Sequence, residues 1–395
     1  MKPQNSFLTR KIIIGIDATN LRSGGGVTHL VELLSAMQLE RLGIVKIVIW
    51  GGSQTLSAIT DHPWLEKRQP TELNRGLLRR TWWQHYQLSK EAVSAKCDLL
   101  FIPGGSYIGR FRPVVTMSQN LLPFELKESL RYGWSMMTLK LLLLRWIQSR
   151  SFHHTNGVIF LTRTAKASVL RVTGPLETKC PIIPHGLNSR FRFAPKKQRL
   201  IESYSAECPY RVIYVSIIDQ YKHQWHVVEA VSILRRKNWP LTLDLVGPAY
   251  PPALRRLDAA ISHFDPEREW VRYHGTVDYS ELHDLYAQAD LGLFASSCEN
   301  MPNILLETMA AGLPVACSNR GPMPEVLRDT GVYFDPEQPD DIARALREFI
   351  LSPTLRTEKA EASYSAALAF DWQRCADDTF GFLARIAADY RRQVA

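Results

Sequence analysis

The chain has 395 residues, of which 45% are hydrophobic and 22% charged, and its net charge is +9. This composition can bury more than one core, argues against a disordered chain, and at this length favours two domains. The charge is unevenly spread: residues 1–200 hold 29 Lys+Arg and 11 Asp+Glu, a net +18, against 19 and 28, a net −9, in residues 201–395. Such polarity suggests that the first half faces something anionic: nucleic acid, lipid headgroups or a phosphorylated substrate.

In chain order, Met1 to Asn5 shows no signal-peptide pattern. Lys11 to Asp17 is a β-branched apolar run that reads as a buried strand. Gly24-Gly25-Gly26 follows, then a helical spacing from Val27 to Leu42. A glycine loop before a helix lets backbone approach an anion closely, although a flexible surface turn explains it equally well. Further strands are expected at 45–50, 98–102 and 114–117, a long helix over 126–154, then a strand at 157–161, a helix at 165–172 and a strand at 181–183. The nearest approach to a membrane span, Met136 to Ile147, is broken by Lys140 and Arg145 and is too short to cross a bilayer. Arg79-Arg80-Thr81-Trp82-Trp83 and the Lys127 to Arg150 segment mix basic and apolar residues, which suits a membrane interface or, alternatively, a core helix with a snorkelling face.

A polar stretch at 189–209 reads as the domain boundary, and the alternation then restarts. Strands are expected at 211–216, 241–246, 270–273, 291–294 and 314–317, with helices at 225–236, 252–262, 280–289 and 303–311 and two or three more from Gln338 onward. Two successive β/α series imply an α/β protein of two Rossmann-like doubly wound parallel-sheet domains, 1–195 and 205–370, with a ligand at the C-terminal strand ends and a final helix, 371–395, that can cross back to the first domain. Six cysteines (Cys97, Cys180, Cys208, Cys298, Cys317 and Cys375) form no Cys-x-x-Cys pair, which argues for reduced thiols in the cytoplasm, and no metal-ligand constellation stands out.

The densest functional signal is Glu299-Asn300-Met301-Pro302-Asn303-Ile304-Leu305-Leu306-Glu307. A strand ends in a carboxylate-bearing loop and feeds a helix N-terminus, where backbone N–H groups suit a phosphate and carboxylates suit sugar hydroxyls. The bland alternative is a pair of solvated helix-end glutamates. Lys222, in the loop after the first strand of the second domain, is placed to neutralise a diphosphate or is simply an exposed lysine.

These residues resemble the retaining glycosyltransferases of family 4, which have the glycosyltransferase-B fold. The resemblance runs through the Lys222 loop, Val246-Gly247, His274-Gly275, Tyr286 to Asp290, Phe294 to Val315 and Gly321-Pro322-Met323-Pro324-Glu325, and more loosely through Asp17, the glycine loop and Ile183-Pro184-His185-Gly186. It implies two domains facing a cleft and a donor, a nucleotide diphosphate-sugar (GDP- or UDP-linked), bound mainly by the second. Glu307 would bond the ribose. Glu299 and the amides of Asn300, Met301, Pro302, Asn303 and Ile304 would hold the sugar and diphosphate, with Ser216 and Gly247 beside them. Lys222 would neutralise the leaving diphosphate and Gly25 and Gly26 would approach it. No cofactor or metal would be needed.

Two departures stand out. The family has an arginine five or six residues before the lysine, where this chain has Ile217 and Ser216; Arg320 or His223 is a candidate substitute. A family histidine that touches the donor sugar is matched by Gln119. The expected activity is transfer of a hexose, mannose or rhamnose as first choice, to a lipid-linked or polysaccharide acceptor in bacterial surface polysaccharide or lipopolysaccharide assembly, by an enzyme peripheral to the inner face of the cytoplasmic membrane. The alternatives are a nucleotide-sugar epimerase of the same fold and a non-catalytic, membrane-associated subunit. Nucleic-acid binding lacks any matching module.

Overall fold

A computed structural model describes residues 11–22, 24–38 and 42–394, so the expectations for Met1–Asn5 and for residues 39–41 lie outside the described residues. The chain divides into two compact units. The first comprises Met1–Phe124, Met136–Gly186 and Asp371–Ala395, and the second Glu125–Ser135 and Leu187–Phe370.

The first unit is built on six parallel strands: Ile12–Asp17 (β1), Ile44–Trp50 (β2), Leu65–Arg68 (β3), Leu99–Ile102 (β4), Val114–Met117 (β5) and Gly157–Ile159 (β6), in the order β3-β2-β1-β4-β5-β6. The apolar runs fall in the middle because a parallel sheet is covered on both faces, so its inner strands bury every side chain; β4 and β5 are buried throughout. The edge strand β3, Leu65-Glu66-Lys67-Arg68, is only half-buried along its length, and its charges hid it from an apolar-run reading.

The second unit repeats the plan with Tyr210–Val215 (β7), Leu241–Val246 (β8), Val271–Tyr273 (β9), Leu291–Phe294 (β10), Val315–Ser318 (β11) and Val332–Phe334 (β12), in the order β12-β11-β10-β7-β8-β9. The winding direction reverses between β7 and β10, the place where a doubly wound sheet holds a ligand at its C-terminal strand ends, and the two loops leaving those strands are tied together by Ser297 N donating to Tyr221 O at 2.8 Å.

Three expectations change. The helix expected over 126–154 is continuous only over Met136–His153, because Gly133 takes a φ of 61°, a left-handed conformation that glycine tolerates and a helix does not. The segment before the break joins the second unit: Tyr132 Oη donates to Asp219 Oδ1 at 2.8 Å, Ser297 Oγ donates to Glu128 Oε2 at 2.6 Å, and Arg131 pairs with Glu337 at 2.5 Å. Residues 187–195, expected in the first domain, also belong to the second unit, since Leu187 N donates to Phe370 O, Phe193 N donates to Ala310 O, and the fully buried Phe191 packs on Tyr279 and Tyr286. The strand expected at 181–183 is reduced to a single bridge between Ile182 and Phe160.

The closing helix Trp372–Val394 packs on the first sheet, with Phe382 against Gly157 and Arg391 paired with Asp98.

Candidate active site

In the second unit, β7 delivers Ser216 and the Lys222 loop, β8 delivers Gly247, and β10 delivers the loop carrying Glu299. Lys222 is buried, its backbone tied by Lys222 N to Asp219 O and by Tyr214 Oη to Lys222 O. Its ammonium pairs with Glu299 Oε1 and stands 5.0 Å from the Tyr221 ring and 5.3 Å from the Phe294 ring. The pair is largely sheltered from water, so each charge depends on the other or on a ligand for compensation.

From Glu299 the chain turns through Asn300, Met301 and Pro302 into the helix Asn303–Ala310, with Asn303 N bonded to Met301 O at 3.0 Å and Leu306 N to Pro302 O. The positive end of that helix dipole therefore lies at the Asn300–Ile304 turn. One turn further in, Glu307 is 5% exposed. Oε1 accepts a hydrogen bond from Tyr279 Oη at 3.2 Å, while Oε2 is buried with no partner. Burial pushes the Glu307 carboxyl up to about 8, against smaller opposing effects of Tyr279 and the Arg190 charge. A solvated helix-end glutamate is therefore excluded. A buried carboxyl oxygen with no protein partner leaves an acceptor position open to a hydrogen-bond donor.

Ser216 and Gly247 sit side by side, with Ser216 N donating to Val246 O at 2.8 Å. Gly247 takes a φ of 141°, and a Cβ there would strike the Ser216 carbonyl oxygen. Gly247→Ala is expected to cost about 3 kcal/mol, read as a lower urea midpoint at unchanged slope.

Neither candidate substitute for the absent arginine is free to take its place. Arg320 is bonded to Asp335 at 2.7 Å. His223 is fully buried, Nε2 lies 3.0 Å from Ser297 Oγ, and burial followed by repulsion from Arg131 pushes its pKa down to about 3, so it is a neutral imidazole. It ends a chain of contacts running His223–Ser297–Glu128–Arg131–Glu337.

Sequence reasoning missed Tyr279, Arg190 and Glu128. Arg190 stacks 5.1 Å over the Tyr279 ring beside Glu307. Tyr279 and Arg190 lie 28 and 117 positions from Glu307 with no periodic signal, so only the folded chain brings them to it.

In the first unit, Gly26 and Gln119 come together: a Cβ on Gly26 would lie 3.0 Å from Gln119 Oε1. Gln119 Nε2 is 3.2 Å from His29 Nδ1, and His29 stacks on His185 at 4.3 Å between ring centroids. His185 is thus a core stacking residue, and burial holds the His29 pKa well below the usual histidine range. Gly25 opens the helix Gly25–Ser35, and a Cβ there would meet nothing within 4 Å.

Comparison with known proteins agrees with this picture. Over 110 residues the chain is 33% identical to the O-antigen chain mannosyltransferase B of Escherichia coli, covering 28% of this chain and 29% of that protein. The chain spans about half or less of the length of the curated relatives it matches. Among solved structures, sucrose-phosphate synthase from Thermosynechococcus elongatus superposes with a TM-score of 0.74 at 16% identity, over 97% of this chain and 99% of that one. The Anabaena protein HepE, in complex with UDP and glucose, superposes with a TM-score of 0.68 at 17% identity, over 96% and 100%. At such identities the likeness establishes the fold, which is the glycosyltransferase-B fold. Residues 197–366, which contain the Lys222–Glu299 pair and Glu307, match the family described as glycosyl transferases group 1.

Proposed function

We infer that this protein is a retaining hexosyltransferase that takes its sugar from a nucleotide diphosphate-sugar. The observation that carries the reading is the buried Glu307 with an unsatisfied oxygen, on the helix that follows the loop of a sheltered Lys222–Glu299 pair at the switch point of the second sheet. Ribose hydroxyls donate to Glu307. The Asn300–Ile304 turn at the helix N-terminus, with Ser216 and Gly247, receives the diphosphate, and Lys222 balances the negative charge that grows as the bond from anomeric carbon to phosphate oxygen breaks. The acceptor oxygen forms the new bond on the same face and its proton passes to the departing phosphate, so no carboxylate nucleophile is required. Glu299 binds sugar hydroxyls.

The sugar is a hexose, with mannose or rhamnose favoured; the Escherichia coli relative is a mannosyltransferase by name. The acceptor is lipid-linked or a polysaccharide under assembly at the bacterial cell surface, met at an anionic membrane surface by the strongly basic first half of the chain. Among the described residues no helix is long and apolar enough to cross a membrane.

A thermal-shift panel of GDP-, UDP-, dTDP- and ADP-sugars tests the donor. A ligand at about a hundred times its Kd stabilises the native state by about 2.7 kcal/mol, a shift of a few degrees. One base should stand out. No shift with any of the four removes the donor site.

A further inference from the structure

Two helices of the first unit turn apolar faces to solvent. In Leu77–Tyr86, positions 78, 82 and 86 share one face, where Leu78 is 87% and Trp82 50% exposed, while Trp83 points into the core. In Met136–His153, Met136, Leu139, Leu143 and Trp146 line one face, with Met136 80% and Trp146 64% exposed, whereas Leu141 and Phe152 are buried on the other. Contiguous exposed apolar faces of this kind mark a contact surface.

Between the two helices lies a cavity of about 650 Å³, closed by the loop from Tyr107 to Arg112. Its aromatic wall is Trp82, Tyr86, Tyr107 and Trp146, and its charged wall is Arg112 and Arg150; no acidic residue lines it. Arg112 donates to Phe111 O at 2.7 Å and stands 5.7 Å from the Tyr107 ring centroid. Among the described residues neither Arg112 nor Arg150 pairs with a carboxylate.

We propose that this cavity is a binding site for the phosphate headgroup of an anionic bilayer lipid, with the apolar faces of Leu77–Tyr86 and Met136–His153 set into the headgroup–acyl boundary around it. The proposal rests on the membrane-associated reading given above and assigns that contact to one site. Three features select a lipid surface as the occupant. Guanidinium forks without acidic partners match a phosphate. Tryptophan and tyrosine ringing them are the side chains that favour the bilayer interface. The exposed methionine and leucines beyond them need an apolar phase, which a soluble phosphate or a nucleic acid does not supply.

The test is co-sedimentation of the full chain, at low salt, with phosphatidylcholine vesicles with and without phosphatidylglycerol, alongside the nucleotide-sugar thermal shift. The wild type should bind the anionic vesicles and release at high salt. Arg112→Gln/Arg150→Gln should bind about thirtyfold more weakly, and Arg150→Gln alone, at an exposed helix position, about fivefold, as expected for two cations and one at an anionic surface. Trp82→Ser/Trp146→Ser should weaken binding to both vesicle types. The nucleotide shift should survive in every variant. Variants that bind like the wild type overturn the cavity assignment while leaving the membrane reading intact. A wild type indifferent to anionic lipid overturns both. Dimers that the tryptophan pair abolishes, in a protein that ignores vesicles, would place a second copy on this face and overturn the proposal. Absence of a nucleotide shift in the wild type counts against the donor site alone.

Discussion

Glu307→Ala is expected to abolish donor binding at neutral pH and, with it, transfer. Two hydrogen bonds from ribose hydroxyls to a sheltered carboxylate are worth about 1.5 to 3 kcal/mol each, so the loss in donor affinity should reach at least about a hundredfold. The wild-type residue should also report itself through pH. Its carboxyl stands at about 8 in the free protein, because burial disfavours the charged form. Near pH 7 it is therefore mostly protonated before the donor arrives. Hydroxyls that donate to it favour the carboxylate and lower its pKa, so binding expels a proton. Affinity should rise with pH as the free carboxyl titrates and level off above about 8.

The linkage to stability has the opposite direction. The folded protein holds this proton up to about pH 8, while an unfolded glutamate loses it near 4.5. The native state therefore binds more protons through that interval, and this group's contribution to stability falls as pH rises across it. Glu307→Gln should flatten both dependences. Calorimetry in two buffers of different ionisation heat measures the proton release directly. Equal heats in both, together with an affinity that is level from about pH 6 to pH 9, would remove Glu307 from the ribose site.

Lys222→Ala should lower turnover by at least about a thousandfold, since it withdraws the charge that balances a leaving diphosphate. It should also cost about 3 kcal/mol of stability, because Glu299 is left as an uncompensated, largely buried carboxylate. The two losses separate in the double variant Lys222→Ala/Glu299→Gln, which should regain most of the stability and none of the turnover. Urea unfolding and a transfer assay on the same preparations decide the matter. Recovery of turnover in the double variant would mean that Lys222 served only to neutralise its partner.

Much of the second unit was legible as sequence because its strands are short apolar runs buried on both faces, and its site residues sit in the loops that follow them. The Glu299–Glu307 segment carried its meaning locally: a strand, a turn and a helix start occur within a few residues, and backbone geometry does the rest. Edge elements were harder. The charged β3 strand and the three-residue β12 strand carry too little apolar pattern to read. The break at Gly133 was hidden by flanking leucines, although a glycine in the left-handed region decides it.

Tertiary structure settled the ionisation states and the long-range partners. Nothing in the spacing of Tyr221-Lys222-His223 distinguishes a cationic His223 from the neutral, buried one; desolvation by the surrounding side chains does so. The assignment of Glu125–Ser135 to the second unit depends on Tyr132, Glu128 and Arg131 finding partners 87 to 206 residues away. The sequence by itself determined the α/β class, the two sheets and the loops that carry Lys222, Glu299 and Glu307, because each is written in local periodicity or in a contiguous motif. Only the folded chain decided that Lys222 pairs with Glu299, that burial raises the Glu307 pKa, and that Arg320 is held by Asp335, because burial and charge pairing are set by residues distant in sequence and adjacent in space.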